Sequence, residues 1–333
     1  MATEQTNLNF RDRIAGLNYQ SDVNSVDALV KQLCQPKERA EFFSFASSLI
    51  KRLRQADKAT TADTYTTAVN SFAHFFGNKE LPFEALDGLL TADYQSWLAA
   101  SGICRNTISF YMRNLRAIYN RAVDALDIEQ RFPFKHVYTG IDKTAKRAVT
   151  QEVIRALRQL DLRDNPLMDY ARDLFMFSFY TRGMSFVDMA YLKKSDLQHG
   201  VLTYCRQKTK QRISVKWLPC MQEVVDKYDT AKSPYLLPII RDADADTRKQ
   251  YKSAAHLVNC KLKKLGQLLG LPIPLTTYVA RHTWASLALS TDASISTISK
   301  AMGHDSEATT RIYLAQLDTS LVDATNAAVL ALL

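Results

Sequence analysis

The sequence predicts a mainly α, two-domain chain with one small antiparallel β-hairpin. Three observations carry this. Apolar residues recur at spacings of three and four over most of the chain, whereas one stretch, residues 200–219, alternates with a period of two. The 333 residues include 10 Gly and 9 Pro, too few for a turn-rich all-β architecture or a low-complexity chain. With 47% hydrophobic residues there is material for a large core, and the length suggests about two domains.

The elements follow in order. Residues 1–38 are polar, break at Gln35-Pro36, and read as an N-terminal arm or an extra short helix. From Arg39, Phe42, Phe43, Phe45, Ala46, Leu49, Ile50 and Leu53 mark a first helix. A second, Thr61 to Phe76, opens on the capping types Thr61 and Asp63 and aligns Tyr65, Val69, Phe72 and Phe76. A third, Thr91 to Ala99, follows a Gly-containing break, and a fourth, Arg105 to Ala125, carries Ile108, Met112, Leu115, Ile118 and Tyr119. These make a four-helix unit over 39–130. Residues 131–147, RFPFKHVYTGIDKTAKR, mix Pro, Gly and cations without apolar periodicity and read as a linker.

A second domain, 148–320, opens with Thr150 as N-cap and Glu152 in the first turn of a helix reaching about Leu160. Helices are expected at Pro166–Tyr180, Gln222–Tyr228, Arg248–Leu269, Tyr278–Leu289 and Ile295–Ala301. Between them Val201, Thr203 and Cys205 alternate with Leu202 and Tyr204. Ile213, Val215 and Trp217 resume the alternation after a basic turn holding Lys208 and Lys210. That is a β-hairpin. Trp284 and the stripe Phe175, Phe177, Phe179, Tyr180 read as core, and the segment 321–333 is rich in Ala and Leu.

Charge is uneven. The net +9 combines −2 over residues 1–100, +14 over 101–300 and −3 over 301–333, so the middle is the surface suited to a polyanion. The fourth helix presents Arg105, Arg113, Arg116 and Arg121 beside Asn106, the donor types that bind phosphate oxygens and base edges. Lys143, Lys146 and Arg147 in the linker and Lys210 on the hairpin extend the candidate DNA-binding set. The longest apolar stretches, such as Leu174 to Tyr180, fall far short of the roughly 20 residues of a membrane span. The N-terminus lacks the apolar core of a signal peptide. Cys34, Cys104, Cys205, Cys220 and Cys260 are isolated and odd in number, which argues against a disulfide framework or a metal site and for a reducing, cytoplasmic compartment.

Near the C-terminus stand Y-V-A-R-H-T at 278–283, G-H at 303–304 and Tyr313 nine residues after His304. Together these resemble the tyrosine recombinase (phage integrase) family. The likeness covers about 150–320, and the preceding helical unit fits the family's core-DNA-binding domain. The resemblance implies a two-domain clamp on duplex DNA that cuts and rejoins strands through a covalent 3′-phosphotyrosine, without metal or cofactor. It matches Tyr313 to the nucleophile, Arg281 to the second catalytic arginine, His304 to the histidine of the G-H motif and Lys208 to the hairpin lysine. The chemistry needs these types. A Tyr hydroxyl titrates near 10 and must lose its proton or have its phenolate stabilised to attack phosphorus. A guanidinium offers a fixed fork to the charged transition state, a lysine can protonate the leaving 5′-oxygen, and a histidine can bond the phosphate or move a proton.

Two positions depart from the family pattern. Tyr278 stands where the family usually has His, and a phenol donates a hydrogen bond but supplies no cation. In Y-T-R-G-M-S-F-V-D-M, Ser185 stands where the first catalytic arginine belongs. Two substitutes offer the missing charge: Arg182, in the same turn, or Arg206, two residues before Lys208, where a shared strand face would project both toward one phosphate. The variant looks like a branch from bacterial mobile elements and invertible DNA segments. The implied partners are double-stranded DNA carrying paired recombination sites, further copies of the chain in a tetramer docked through the C-terminal segment, and accessory DNA-bending proteins. The reaction class covers integration, excision or inversion. A type IB topoisomerase-like enzyme shares the chemistry, and the rival from another class is a catalytically impaired, recombinase-derived DNA-binding regulator.

Overall fold

The computed structural model describes residues 40–142 and 148–314, together with Leu330. The chain divides into two compact units at Lys143.

Among its described residues the first unit holds four α-helices: α1 (Phe42–Gln55), α2 (Ala59–Phe75), α3 (Gly88–Ala100) and α4 (Arg105–Leu126). The helix α3 starts three residues earlier than expected because Asp87 accepts from Leu90 N and caps it. Its core is aromatic. Phe42 packs edge-on to Phe72 and Phe83, and Phe72 meets Tyr94 at 4.9 Å between ring centroids. Burial of each such side chain contributes about 1.5–3 kcal/mol. The buried Tyr94 hydroxyl finds a partner in Ser71 Oγ at 2.7 Å.

Residues 131–142, expected as linker, belong to this unit. Phe134 and Val137 are buried in its core. Asn106 donates to Asp142 O at 3.0 Å and accepts from Asp142 N at 2.8 Å, while Ser109 Oγ donates to Gly140 O. These tertiary bonds replace the missing apolar periodicity. The expected arm 1–38 and all of the C-terminal segment except Leu330 lie outside the described residues.

In the second unit α5 (Gln151–Gln159) starts after Thr150, as the sequence indicates. The helix α6 (Pro166–Tyr180) is central and mostly buried and has the expected bounds; Asn165 caps it by accepting from Met168 N, and Pro166 occupies its first turn. It packs against α5 and three later helices: α8 (Pro219–Asp226), α9 (Thr247–Leu268) and α10 (Thr277–Ser290). Asp173, buried on α6, accepts from Arg172 Nε at 3.0 Å and Tyr228 Oη at 2.8 Å and pairs with Lys227. This network fixes α6 to the segment after α8.

Between α6 and α8 lie a short helix, α7 (Phe186–Ala190), and an antiparallel sheet in the order β1 (Leu197–Gln198), β2 (Val201–Cys205), β3 (Arg212–Lys216). Val201 pairs with Lys216 and Cys205 with Arg212, which turns Leu202, Tyr204, Ile213 and Val215 into the core. Two further helices, α11 (Ile295–Met302) and α12 (Glu307–Leu314), close the unit. A satellite cluster of Ala285, Ile298 and Met302, with Trp284 and Leu289 packed against it, holds α11 on α10. No described helix is long and apolar enough to cross a membrane.

Candidate active site

Four chain segments of the second unit converge: the turn between α6 and α7, the loop joining β2 to β3, the start of α10, and the turn between α11 and α12. Arg281, on α10, is 4% exposed. It donates from Nη1 to Gly183 O and from Nη2 to Met302 O, both at 2.7 Å, so one guanidinium ties two turns together. The approach requires glycine at 183. The residue has φ +73°, and an added Cβ would lie 2.7 Å from Arg281 Cα.

Arg206 stands at the first position after β2 and is buried at 7% exposure. Its Nη1 donates to Gly303 O, the carbonyl next to the one held by Arg281. Gly303 has φ +62° and caps α11; a Cβ there would meet Ile213 Cδ1 at 2.5 Å and Arg206 Cδ at 2.7 Å. The Arg206 Nε lies 3.6 Å from Asp188 Oδ2 and has no hydrogen-bond partner among the described residues. A guanidinium held in place this way sets a fixed positive charge beside the Gly303 carbonyl, suited to an anionic ligand.

Asp188 connects this arginine to the position the sequence marked as anomalous. Its buried carboxylate accepts from Ser185 Oγ at 2.6 Å and from Gln207 N at 2.8 Å. Ser185 in turn caps α7 by accepting from Asp188 N at 3.4 Å. Sequence reasoning did not single out Asp188. The S-x-x-D spacing of Ser185 and Asp188, the capping-box pattern, was the available signal.

His304 follows Gly303. Its Nε2 is 3.0 Å from Arg281 Nη2 and its Nδ1 is 2.7 Å from Thr310 Oγ1 on α12. Burial, followed by the Arg281, Arg206 and Lys208 cations, lowers its pKa to about 4, so the ring is neutral near pH 7. Lys208 and Lys210 are exposed on the β2–β3 loop. The expectation that Arg206 and Lys208 share a strand face is corrected: β2 ends at Cys205. Arg206 turns inward in a loop closed by Lys210 N on Arg206 O, whereas Lys208 stays at the surface. Arg182 has φ +63°, is half-buried and donates from Nη1 to Ser214 O at 3.3 Å. Tyr278 opens α10 with 47% exposure and meets His282 edge-to-face at 4.7 Å. Tyr313 lies on α12, one turn after Thr310. Among the described residues no group of three or more His, Cys, Asp or Glu side chains could hold a metal ion.

In the first unit Arg105, Arg113, Arg116 and Arg121 are all exposed on α4. Their surroundings differ. The Arg105 guanidinium lies 4.1 Å over the Tyr138 ring and 3.7 Å from Asp142 Oδ2, and Arg121 lies 5.7 Å over Tyr65. Asn106, expected to face DNA, spends its amide on the backbone of Asp142. Lys143, Lys146 and Arg147 lie outside the described residues.

The description "Phage integrase SAM-like domain" matches residues 41–139, and "Phage integrase family" matches residues 147–320. The chain belongs to the phage integrase family of tyrosine recombinases. Members of this family break and rejoin DNA. Tyrosine recombinase XerC of Rickettsia massiliae (strain Mtu5) is 25% identical over 268 residues, covering 76% of this chain and 85% of the relative. Two solved structures share the fold. A lambda integrase dimer bound to a COC′ core site has TM-score 0.62 at 15% identity, covering 93% of this chain and 85% of that one. A lambda integrase tetramer bound to a Holliday junction has TM-score 0.61 at 14% identity, covering 89% and 88%. The family expected from Y-V-A-R-H-T, G-H and the spaced Tyr is therefore the observed one.

Proposed function

We propose that this tyrosine recombinase exchanges strands between paired sites on duplex DNA, with Tyr313 as nucleophile and Arg281, Arg206, His304 and Lys208 serving the scissile phosphate. The observation that carries the reading is the convergence of two buried guanidinium groups on adjacent carbonyls, Met302 O and Gly303 O, next to His304. Such a pocket concentrates positive charge where a phosphorane-like transition state gains negative charge, and it is already organised before the phosphate arrives.

The steps balance as follows. The Tyr313 hydroxyl oxygen bonds to phosphorus and the phosphorus–O5′ bond breaks, leaving a 3′-phosphotyrosine and a free 5′-hydroxyl. The phenolic proton passes toward His304, neutral near pH 7, and Lys208 supplies the proton to the leaving oxygen. Attack by the 5′-hydroxyl of a partner strand reverses the sequence and restores Tyr313. Arg206 is favoured over Arg182 as the substitute for the first arginine. It is buried beside the Gly303 carbonyl and held there by the Asp188 carboxylate, whereas Arg182 turns to the backbone of β3.

Cations on α4 and the β2–β3 loop hold the DNA backbone; of those on α4, Arg113 donates from Nε to Ser109 O at 3.3 Å, and Arg105 lies over Tyr138 and near Asp142. Lys143, Lys146, Arg147 and Lys210 join them. Paired sites imply several copies of the chain, and the lambda integrase tetramer on a Holliday junction supports a tetramer on DNA. Accessory DNA-bending proteins and a cytoplasmic setting complete the proposal. Nicked suicide duplexes drawn from the genome that encodes the chain test it. A protein–DNA adduct that survives denaturation and is lost in Tyr313→Phe supports the enzyme. Tight binding with no adduct on any duplex favours a recombinase-derived regulator.

A further inference from the structure

We propose that Thr310 is a positioning residue whose buried hydroxyl receives the Nδ1–H of His304, in the tautomer set by Arg281, and fastens α12 to the arginine pocket. The inference rests on the roles given above to His304 and Tyr313.

The donor inventory fixes the tautomer. A guanidinium donates and never accepts, so the 3.0 Å contact from Arg281 Nη2 makes His304 Nε2 an acceptor. A neutral imidazole carries one N–H, which therefore sits on Nδ1, 2.7 Å from Thr310 Oγ1, and the ring donates to the hydroxyl. The neutral form is the relevant one near pH 7, because burial and the cations of Arg281 on α10 and Arg206 and Lys208 on the β2–β3 loop oppose a charged ring. Gln211 of the same loop donates to His304 O and to Asp305 Oδ1, which anchors the ring's own residue and the one after it.

Thr310 is fully buried, so bulk water does not replace its oxygen. Two consequences follow. First, Nε2 faces the arginines with its lone pair outward. When the Arg281 guanidinium turns to a phosphate oxygen, the ring presents an acceptor to the reaction centre, which suits it to take a proton. The opposite tautomer would aim an N–H at a guanidinium N–H. Second, Thr310 lies three residues before Tyr313 on α12, one helical turn and about 4.5 Å along the axis. Docking Thr310 against His304 thus fixes the backbone that carries position 313. The hydroxyl couples the cation pocket to the nucleophile's helix within one chain.

The test uses the full chain labelled with ¹⁵N-histidine, the His304→Asn variant assigning the His304 signals in long-range ¹H–¹⁵N spectra. Wild type is expected to show the Nδ1–H tautomer near pH 7. Thr310→Ser keeps its hydrogen-bonded ¹H and ¹⁵N shifts, and Thr310→Val, isosteric but without an acceptor, leaves the Nδ1–H unpaired and moves those shifts, while the Arg281 contact keeps the tautomer. On nicked suicide DNA, Thr310→Val lowers the adduct rate by about 10- to 100-fold, the cost of one unsatisfied buried donor, and Thr310→Ser restores it. Nε2–H in the wild type, or Thr310→Val ring shifts and adduct rate both unchanged, overturns the proposal; the wild-type spectrum decides even if Thr310→Val does not fold. An adduct that persists in Tyr313→Phe instead overturns the reading of Tyr313, and the tautomer spectra still stand on their own.

Discussion

Asp188 carries one oxygen 2.6 Å from the hydroxyl of Ser185 and 3.6 Å from Nε of Arg206. Ser185 and Arg206, which enters the pocket from another loop, therefore share a carboxylate. The serine hydroxyl satisfies the acid that pairs with the arginine. On the proposed reading, in which Ser185 stands at the position of the family's first arginine, residues 185, 188 and 206 are one arrangement.

Breaking that arrangement has a stability cost. Asp188→Ala leaves the Arg206 cation buried without its carboxylate and removes the acceptor of Gln207 N, a loss of about 3 kcal/mol. Urea unfolding of the full chain measures it. A change below about 1 kcal/mol would show the contact to be incidental.

Arg206→Ala lowers covalent adduct formation about 100-fold or more, because a preorganised donor to the transition state is lost, while DNA affinity falls little. Arg182→Ala has the smaller effect, since its guanidinium is committed to Ser214 O. Rates on a suicide duplex compare the two directly. The opposite order would assign the substitution to Arg182.

Gly303→Ala tests the pocket's geometry. The residue sits at φ +62°, and the new methyl would press on Arg206 Cδ and Ile213 Cδ1. The left-handed backbone costs about 1–2 kcal/mol, whereas displacement of Arg206 removes cleavage. Adduct formation should therefore fall by more than the stability change accounts for, a comparison that needs the unfolding curve and the adduct rate of the same preparation.

The pH dependence has a definite sign. The folded pKa of His304, about 4, lies below its ordinary 6.5. Between these values the unfolded chain binds a proton that the folded chain refuses, so stability is full above about pH 6.5 and declines as the pH falls toward 4. His304→Asn removes that part of the decline. Denaturant midpoints taken across this range measure it, and a variant that loses stability as steeply as wild type contradicts the placement of the ring.

On the first unit, Arg113→Ala and Arg116→Ala weaken DNA binding on all sequences alike, each lowering the salt slope by about 0.9. Arg105→Ala lowers it less, because that guanidinium is held over Tyr138 and near Asp142. Binding isotherms over a salt series give the slopes.

The parts of the fold legible in the sequence were those fixed by local chemistry. Pro166 set the start of α6, and alternation of Leu202 with Tyr204 and of Ile213 with Val215 set the hairpin. Arg281 and His304, which the structure brings together, were legible from the short motifs Y-V-A-R-H-T and G-H. What escaped depends on partners distant in the chain. Arg206 is buried by Gly303, 97 residues away, and strand periodicity wrongly carried it onto the face of Lys208. Residues 131–142 looked like linker because Asn106 and Ser109, not apolar spacing, hold them. The five-residue α7 and two-residue β1 are too short for any periodic pattern. Thr310 gave no signal apart from its place between His304 and Tyr313.

In the proposed mechanism Tyr313 becomes covalently joined to DNA in a pocket built by Arg281, Arg206 and His304. The direct measurement is peptide mapping by mass spectrometry of the adduct trapped on a nicked suicide duplex, after protease and nuclease digestion. The expected result is a nucleotide 3′-phosphate on the peptide containing Tyr313, absent in Tyr313→Phe and reduced in Arg281→Ala and Arg206→Ala. A modified peptide containing another tyrosine, Tyr278 included, or an adduct indifferent to both arginines, would contradict it.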